Sequence, residues 1–260
     1  MTIESNLSPY AEMNNRTDEN PPLVTILVLA FNQEEYIAEA VNGALAQTYP
    51  NLEIILSDDC STDRTFDVME ELAAAHEGNI TVKLNRMNEN AGLTGHLNFA
   101  IPMAKGEFIV LAAGDDISEP ERVRRLVERW ARSGYSNGSI FSEYLAIDER
   151  GNPIGIGGNG PWLSNESWIR TKDHDSNLFF SLAGCTQAFT PDSFTVFGEL
   201  ELGIIQEDIC LQLRSSLIGG VGFVSKPLVR YRLTTQSQSR NSTKSSKDRI
   251  TKRISYLKNF

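Results

Sequence analysis

The first half of the chain alternates between short apolar runs and segments with helical periodicity. Continuous apolar runs, typical of strands that are buried on both faces, occur at residues 24–30, 52–56, 80–84 and 108–112. The intervening segments repeat apolar residues at helical spacing, as Ile37, Val41 and Leu45 do. This alternation predicts an α/β protein with a mostly parallel central sheet and helices on both faces.

Polar residues ahead of the periodic segments predict helix starts. Asn32 with Glu35 matches a capping box, Ser61 or Thr62 is placed to cap the second helix, and Ser118 precedes the fourth. We therefore expect the helices to begin directly after these residues.

The second half of the chain has a different pattern. It predicts a hairpin around residues 148–152, a helix over about 206–218 and a strand near 222–231, so mixed strands are expected here. Residues 1–20 are polar and aperiodic and predict a disordered leader. The predicted organisation is this leader, one domain over 21–239 and a basic helical tail over 240–260.

Charge and composition exclude several functions. The net charge of −10 argues against nucleic acid as a partner, because a phosphate backbone requires a basic face. We find neither a signal peptide nor an apolar run that could cross a bilayer, so we expect a cytoplasmic protein with reduced cysteines.

The basic tail carries apolar residues at helical spacing, which suits contact with the inner face of a membrane. The alternative is a terminal helix that is solvated or packed on the domain.

Polar loops follow all four predicted strands. In an open parallel sheet, ligands bind at the carboxyl ends of the strands, and these four loops span residues 30–34, 57–63, 88–92 and 114–116. Two of them carry adjacent carboxylates, whose repulsion a divalent cation would relieve. Asp115 and Asp116 suit such a cation, while Asp58 and Asp59 suit hydrogen bonds to a base or a ribose. The alternative is that these residues are only caps and turns.

Several common sites are excluded by their missing motifs. No G-x-G-x-x-G follows the first strand, no Gly-rich loop ends in Gly-Lys-Ser/Thr, and no G-x-S-x-G is present. The three histidines are scattered and have no metal-ligand spacing.

Together the motifs resemble the family 2 glycosyltransferases of GT-A fold, over about residues 22–240. Their order and spacing carry the resemblance, which rests on segments 29–34, 46–51, 57–63, 90–98, 106–116, 207–208 and 231–239. It implies a Rossmann-like GT-A sheet and an inverting transfer of a sugar from a nucleoside diphosphate sugar, with a UDP-sugar as the first expectation, to a hydroxyl acceptor. A saccharide or lipid-linked saccharide acceptor in bacterial surface polysaccharide or glycolipid synthesis fits this activity.

The resemblance also implies residue roles. Asp208 is the expected catalytic base, with Glu207 orienting the loop or acceptor, and Asp115 is the expected ligand of Mn²⁺ or Mg²⁺. The expected nucleotide-binding residues are Ala30, Phe31, Glu34, Asp58, Asp59, Asn90, Asn98 and Asp116. The turn expected to face the donor sugar or acceptor is Gly184, Cys185 and Thr186. We further expect the helix dipole to keep Asp208 ionised.

Three positions depart from the family pattern. Ala113 replaces the first aspartate of Asp-x-Asp, Leu97 stands where arginine is frequent, and Thr234 replaces a frequent histidine. These departures leave open a non-catalytic sugar-nucleotide-binding or scaffolding subunit of a polysaccharide assembly complex. A nucleotidyltransferase is a further alternative, but its Gly-rich basic loop after the first strand is missing.

Overall fold

The computed structural model describes residues 20–136, 138–157, 168–169, 182–204 and 207–234. Almost all of the predicted leader and all of the predicted basic tail lie outside the described residues, as does the end of the segment 231–239. The predictions for those segments therefore stay predictions.

Four parallel strands form the N-terminal half of the sheet, in the spatial order β3-β2-β1-β4. They are β1 (Val24–Ala30), β2 (Leu52–Asp58), β3 (Thr81–Arg86) and β4 (Phe108–Ala113). The predicted parallel sheet is confirmed, and the predicted bounds of β1 are those observed. Because all four strands run in one direction, the loops that follow them lie at the same edge of the sheet.

Helices connect these strands, but they begin later than the predicted caps. They are α1 (Ile37–Leu45), α2 (Thr65–Ala74), α3 (Gly92–Ala100) and α4 (Arg122–Ala131), and a 3₁₀ turn (Ile101–Met103) follows α3. The predicted caps at Asn32, Ser61 and Ser118 were wrong by three to four residues. Their side chains instead form hydrogen bonds to other loops and to Arg122.

The C-terminal half extends the same sheet with strands of both directions. These are β5 (Ile117–Ser118), β6 (Ser139–Ile147), β7 (Pro153–Gly157), β8 (Trp168–Ile169), β9 (Ala188–Phe189) and β10 (Val221–Arg232). β9 lies antiparallel between β4 and β6, β10 lies parallel to β6, and β7 forms the predicted hairpin with β6. The mixed strands are confirmed. Two helices, α5 (Asp192–Thr195) and α6 (Glu207–Ile218), complete this half.

Apolar side chains fill a core on each face of the sheet. Ile26 and Val28 belong to the core under α1, α2 and α4, whereas Leu27 belongs to the opposite core against α3 and α6. The first core is closed by Trp130, whose ring stacks on Phe108 with centroids 4.5 Å apart. Successive side chains of a strand point to opposite faces of the sheet, so β1 contributes to both cores. The sheet is therefore packed between two layers of helices. None of the helices in the described ranges is long and apolar enough to span a membrane.

Candidate active site

Side chain–backbone hydrogen bonds join the loops that follow β1 and β2. Asn32 Oδ1 accepts the Thr62 N–H at 2.9 Å, and the Asn32 N–H donates to Ser61 Oγ at 2.9 Å. Glu34 Oε2 accepts the Arg64 N–H at 2.9 Å. Asn32 has φ 50°, a left-handed conformation that asparagine tolerates better than most residues. These bonds fix the shape of the sheet edge where the sequence predicts the nucleotide.

The two carboxylates after β2 have different surroundings. Asp58 is fully buried and accepts the N–H of Ser61 at 2.9 Å as well as its hydroxyl proton. Arg86 Nε lies 3.6 Å from Asp58 Oδ2, and the Arg86 side chain is 45% exposed. Asp59 Oδ1 accepts the Ala91 N–H at 2.9 Å and so holds the loop after β3. The sequence analysis did not include Arg86 among the site residues. Since Arg86 is the last residue of β3, the rule that ligands bind at the carboxyl ends of strands would have identified it.

A buried histidine supports the end of β2. His96 Nε2 lies 2.7 Å from Ser57 Oγ, and Ser57 Oγ also accepts a hydrogen bond from the Asn85 amide at 2.8 Å. Burial lowers the pKa of His96, an effect that the nearby carboxylates of Asp59 and Asp58 oppose. Burial thus disfavours the charged form of this imidazole, which packs against the end of β2, a role that the sequence did not indicate.

The start of the first loop offers an aromatic surface. Ala30 is buried at the end of β1, and its C=O accepts the Asp59 N–H at 2.9 Å. The next residue, Phe31, is 41% exposed, so its ring is open to a ligand at this edge of the sheet. The predicted wall of a base site is thus accessible on the expected edge.

Two predicted nucleotide ligands are engaged by nearby backbone groups. Asn90 Oδ1 accepts the Gly92 N–H at 3.0 Å and remains exposed. The Asn98 amide bonds the Leu200 backbone in both directions, each at 2.8 Å. Asn98 therefore holds the loop before α6, and its direct contact with a nucleotide stays a prediction.

Asp115 and Asp116 follow β4 at the same edge. Asp116 Oδ1 accepts the Arg232 N–H at 2.8 Å, and Arg232 Nε donates to the Asp115 C=O at 3.0 Å. Burial raises the pKa of Asp115, and burial together with the Asp115 charge raises the pKa of Asp116 well above its usual range. The Asp115 side chain is half-buried whereas that of Asp116 is buried, so Asp115 is the more accessible of the two.

The three departures from the family pattern have structural surroundings of their own. Ala113 ends β4 beside Gly114, where an added Cβ would lie 2.4 Å from Gln33 Oε1. The Gln33 side chain thus fills space next to the turn that carries Asp115. Leu97 is a core residue with 1% exposure, and Thr234 is also buried. At position 97 an apolar side chain serves packing.

A 3₁₀ turn at Gly184–Thr186 lies between the two acidic pairs of the site. Gly184 packs directly against Asp208, because an added Cβ at Gly184 would lie 2.8 Å from Asp208 Cβ and 3.3 Å from Asp208 Oδ2. The Cys185 thiol contacts the carboxyl of Asp116. Thr186 is fully buried, and its hydroxyl donates to the Ala183 C=O at 2.8 Å, so it shapes the turn. The turn thus has Asp116, the neighbour of the predicted metal ligand, near Cys185 and the predicted base near Gly184.

Glu207 and Asp208 open α6 and are both half-buried. Burial, reinforced by the charge of Asp208, raises the pKa of Glu207 to about 8. Burial also raises the pKa of Asp208, although the N–H groups of Ile209 and Gly184 oppose the shift. The backbone N–H groups at the start of α6 lower the pKa of Asp208, as expected, but burial outweighs them and the net shift is upward.

The acidic loop suits a cation that takes few protein ligands. Within the described ranges, no three His, Cys, Asp or Glu side chains form a group able to hold a metal ion. Mg²⁺ and Mn²⁺ commonly bind through one or two carboxylates and complete their shell with substrate phosphates and water. The carboxyl of Asp115 is half-buried and is more accessible than that of Asp116, so it can offer an oxygen ligand to such a cation.

Comparison with known families decides the assignment. The family model described as "Glycosyl transferase family 2" matches residues 25–200, more than half of the chain. The chain belongs to glycosyl transferase family 2. This family consists of transferase enzymes, and the matched range contains the loops after all four parallel strands together with the turn at Gly184–Thr186.

Relatives and structural neighbours agree with this family. The chain is 31% identical to chondroitin synthase of Escherichia coli over 155 residues, covering 60% of this chain and 22% of that protein. It is 33% identical to the succinoglycan biosynthesis protein ExoO of Rhizobium meliloti over 138 residues, covering 53% of this chain and 38% of that protein. The matches thus span less than half the length of the first curated relatives.

Two solved structures show the GT-A fold. S. aureus TarS in complex with UDP-GlcNAc aligns with TM-score 0.68 and 18% identity, covering 87% of this chain and 63% of that chain. The mannosyltransferase PcManGT from Pyrobaculum calidifontis, in complex with GDP-Man and Mn²⁺, aligns with TM-score 0.59 and 18% identity, covering 89% and 64%. The predicted GT-A fold is confirmed.

Proposed function

We propose that this glycosyltransferase inverts the anomeric centre while moving a sugar from a nucleoside diphosphate sugar to a hydroxyl acceptor. The observation that carries the proposal is the turn at Gly184–Thr186, in which Gly184 packs against Asp208 and Cys185 lies near Asp116. Direct displacement requires a leaving diphosphate and a proton acceptor on opposite sides of the reacting carbon. Two acidic pairs that flank one turn suit these separate tasks.

Asp208 is the proposed general base. An acceptor hydroxyl is a weak nucleophile, so a carboxylate must take its proton as the new bond forms. Burial raises the pKa of Asp208, which makes its carboxylate a stronger base than an exposed aspartate. The Ile209 N–H donates to Asp208 Oδ1 at 2.8 Å and Gly184 packs against the side chain, so Asp208 is held in one orientation, and correct orientation is a large part of such catalysis. The acceptor oxygen attacks C1 of the sugar, the bond between C1 and the diphosphate oxygen breaks, and the proton of the acceptor hydroxyl moves to Asp208.

Asp115 is the proposed metal ligand, with Asp116 supporting the loop. A bound Mn²⁺ or Mg²⁺ would supply positive charge to stabilise the leaving diphosphate. A solved neighbour, PcManGT, contains Mn²⁺ with its nucleotide sugar, which supports this cofactor.

The base site is proposed to lie between Phe31 and the pair formed by Asp58 and Arg86. A uracil edge has carbonyl acceptors on both sides of its N3–H. The half-exposed Arg86 guanidinium, which lies 3.6 Å from the buried Asp58 carboxylate, offers N–H donors to such a carbonyl. Arg86 also stacks over Phe66 at 5.1 Å, which fixes its orientation. We therefore propose a UDP-sugar as the donor, in agreement with the UDP-GlcNAc bound by TarS.

Relatives favour a role in polysaccharide synthesis. Chondroitin synthase and a succinoglycan biosynthesis protein are among the matched proteins. We propose a saccharide or lipid-linked saccharide as the acceptor.

A donor panel tests the proposal. The purified protein is incubated with UDP-, dTDP- and GDP-sugars, Mn²⁺ and a panel of saccharide acceptors, and nucleoside diphosphate release and the anomeric configuration of the product are measured. Release with a UDP-sugar and an inverted product is expected. Retention of configuration would contradict the mechanism. Nucleotide binding without turnover on any donor would favour the non-catalytic alternative.

A further inference from the structure

The buried guanidinium of Arg232 lies behind the acidic loop. Arg232 is the last residue of β10, and its side chain is 1% exposed. Besides the bonds to Asp115 and Asp116 described above, Nη1 donates to the Glu149 C=O at 3.0 Å and contacts the Asp148 C=O at 3.3 Å. One side chain thus connects the acidic loop to the β6–β7 turn.

The same guanidinium also contacts the first helix. Arg232 Nη2 lies 3.1 Å from Glu39 Oε2, and the guanidinium carbon sits 4.6 Å from the centre of the Tyr36 ring. Glu39 is half exposed, so it can be changed without leaving a cavity. The Arg232 cluster, consisting of Tyr36, Glu39, Asp115, Asp148 and Glu149 around the guanidinium, joins segments that are far apart in sequence.

The shape of arginine matters in this cluster. A buried cation is unfavourable unless acceptors surround it, and here backbone carbonyls, a carboxylate and an aromatic face do so. A planar guanidinium can donate in several fixed directions at once, which a lysine ammonium cannot reproduce. Because Arg232 is almost completely buried, it can influence a donor only through the residues that it holds.

We propose that Arg232 is a positioning residue that holds the backbone of Asp115 and the side chain of Asp116 in the geometry required for the metal and diphosphate. This inference rests on the proposed role of Asp115. The Arg232 guanidinium bonds the Asp115 C=O, whereas the Arg232 backbone N–H bonds the Asp116 carboxylate. Replacing the side chain therefore removes the support of Asp115 directly and acts on Asp116 through its neighbour. The β6–β7 turn is bonded by the same side chain and is therefore coupled to the acidic loop.

Two variants and one matched control test the inference. Arg232→Lys keeps the positive charge but loses the planar guanidinium and its several fixed donors. Glu39→Gln removes only the charge of the exposed partner. Arg230→Lys is the control, since Arg230 lies two residues earlier on β10, is 47% exposed and pairs with Glu119 outside the site. For each protein the Mn²⁺ concentration at half-maximal transfer, kcat at saturating Mn²⁺ and the melting temperature are measured.

The expected result is a selective change in metal requirement. Arg232→Lys should raise the half-maximal Mn²⁺ concentration about tenfold or more, as losses of support behind metal ligands commonly do. Glu39→Gln should raise it by about twofold to threefold, the size expected for a partly exposed ion pair, and Arg230→Lys should leave it unchanged. A folded Arg232→Lys protein with the Mn²⁺ requirement of the wild type would overturn the inference.

Measurements on the wild type alone distinguish failure of the proposed function from failure of the positioning role of Arg232. Transfer by the wild type without a divalent cation would remove the metal assignment, and this inference with it. If Arg232→Lys does not fold, Glu39→Gln decides, because an unchanged Mn²⁺ requirement in that variant would overturn the positioning role.

Discussion

The two halves of the sheet hold their functional side chains by different means. In the N-terminal half, which is proposed to bind the nucleotide sugar and is called the donor half below, the loops after β1 and β2 form hydrogen bonds to each other through polar side chains such as Asn32 and Glu34. These loops lie above a mostly apolar core. In the C-terminal half, buried arginines bond backbone carbonyls: Arg232 bonds the acidic loop and the β6–β7 turn, and Arg122 bonds the Leu111 C=O and the Cys185 C=O. The first arrangement is local, whereas the second depends on distant partners.

This difference explains which features the sequence could predict. The apolar run at Val24–Ala30 gave the bounds of β1 directly, because a strand buried on both faces requires continuous apolar residues. The strand-end rule located Asp58, Asp59, Asp115 and Asp116 at one edge. The caps failed because Asn32 and Ser61 are also good hydrogen-bonding partners for a neighbouring loop, and only the tertiary structure decides between the two uses.

The arginine contacts could not be predicted in the same way. Arg232 and Glu39 are 193 residues apart, and Arg122 and the Cys185 C=O are 63 apart, so no local pattern joins them. In the sequence, Arg122 is one of several arginines in an amphipathic helix. Only the structure shows that its guanidinium reaches the turn at Gly184–Thr186. Burial of a charge becomes visible only when the fold is known.

The largest predicted effect is on the chemistry of the C-terminal half. Asp208→Asn should lower transfer by about a thousandfold, within the range for loss of a general base, because an amide cannot take the acceptor proton. Binding of UDP, measured by calorimetry, should stay near that of the wild type. Glu199→Gln, an exposed change in the loop before α6, is the control. Turnover within a few-fold of the wild type would remove Asp208 as the base.

The next prediction concerns the stability of the same half. Arg122→Met should lower the free energy of unfolding by about 2–3 kcal/mol, since it leaves the Leu111 and Cys185 carbonyls without their buried donor. The exposed Arg124, on the same helix, offers the control Arg124→Met, for which a change within about 0.5 kcal/mol is expected. Urea denaturation measures both. Equal effects would show that burial of Arg122 contributes nothing.

A pH dependence should follow from Glu207. Burial raises the pKa of the Glu207 carboxyl from 4.5 to about 8, so this carboxyl binds a proton more tightly in the folded protein than in the unfolded chain. The stabilisation is therefore complete below about pH 4.5 and is lost as the pH rises to about 8. Melting temperatures of Glu207→Gln compared with the wild type over this range should show a smaller decline in the variant. The exposed change Glu201→Gln should keep the decline of the wild type.

The smallest predicted effect is in the donor half. Phe31→Ala should weaken UDP binding by about 0.5–1.5 kcal/mol, the usual contribution of an aromatic contact. Stability should hardly change, because the ring is 41% exposed. Phe99→Ala, another exposed aromatic residue on α3, is the control and should leave the affinity unchanged. Unaltered UDP affinity of Phe31→Ala would place the base elsewhere.

Calorimetric titration of UDP into the wild type and into Asp115→Asn, each with and without Mn²⁺, tests the central claim most directly. The site predicts that Mn²⁺ strengthens UDP binding to the wild type and that this gain is lost in Asp115→Asn, while metal-free binding is similar in both. Equal enhancement by Mn²⁺ in the two proteins, or no binding of UDP to the wild type, would contradict the proposed donor site.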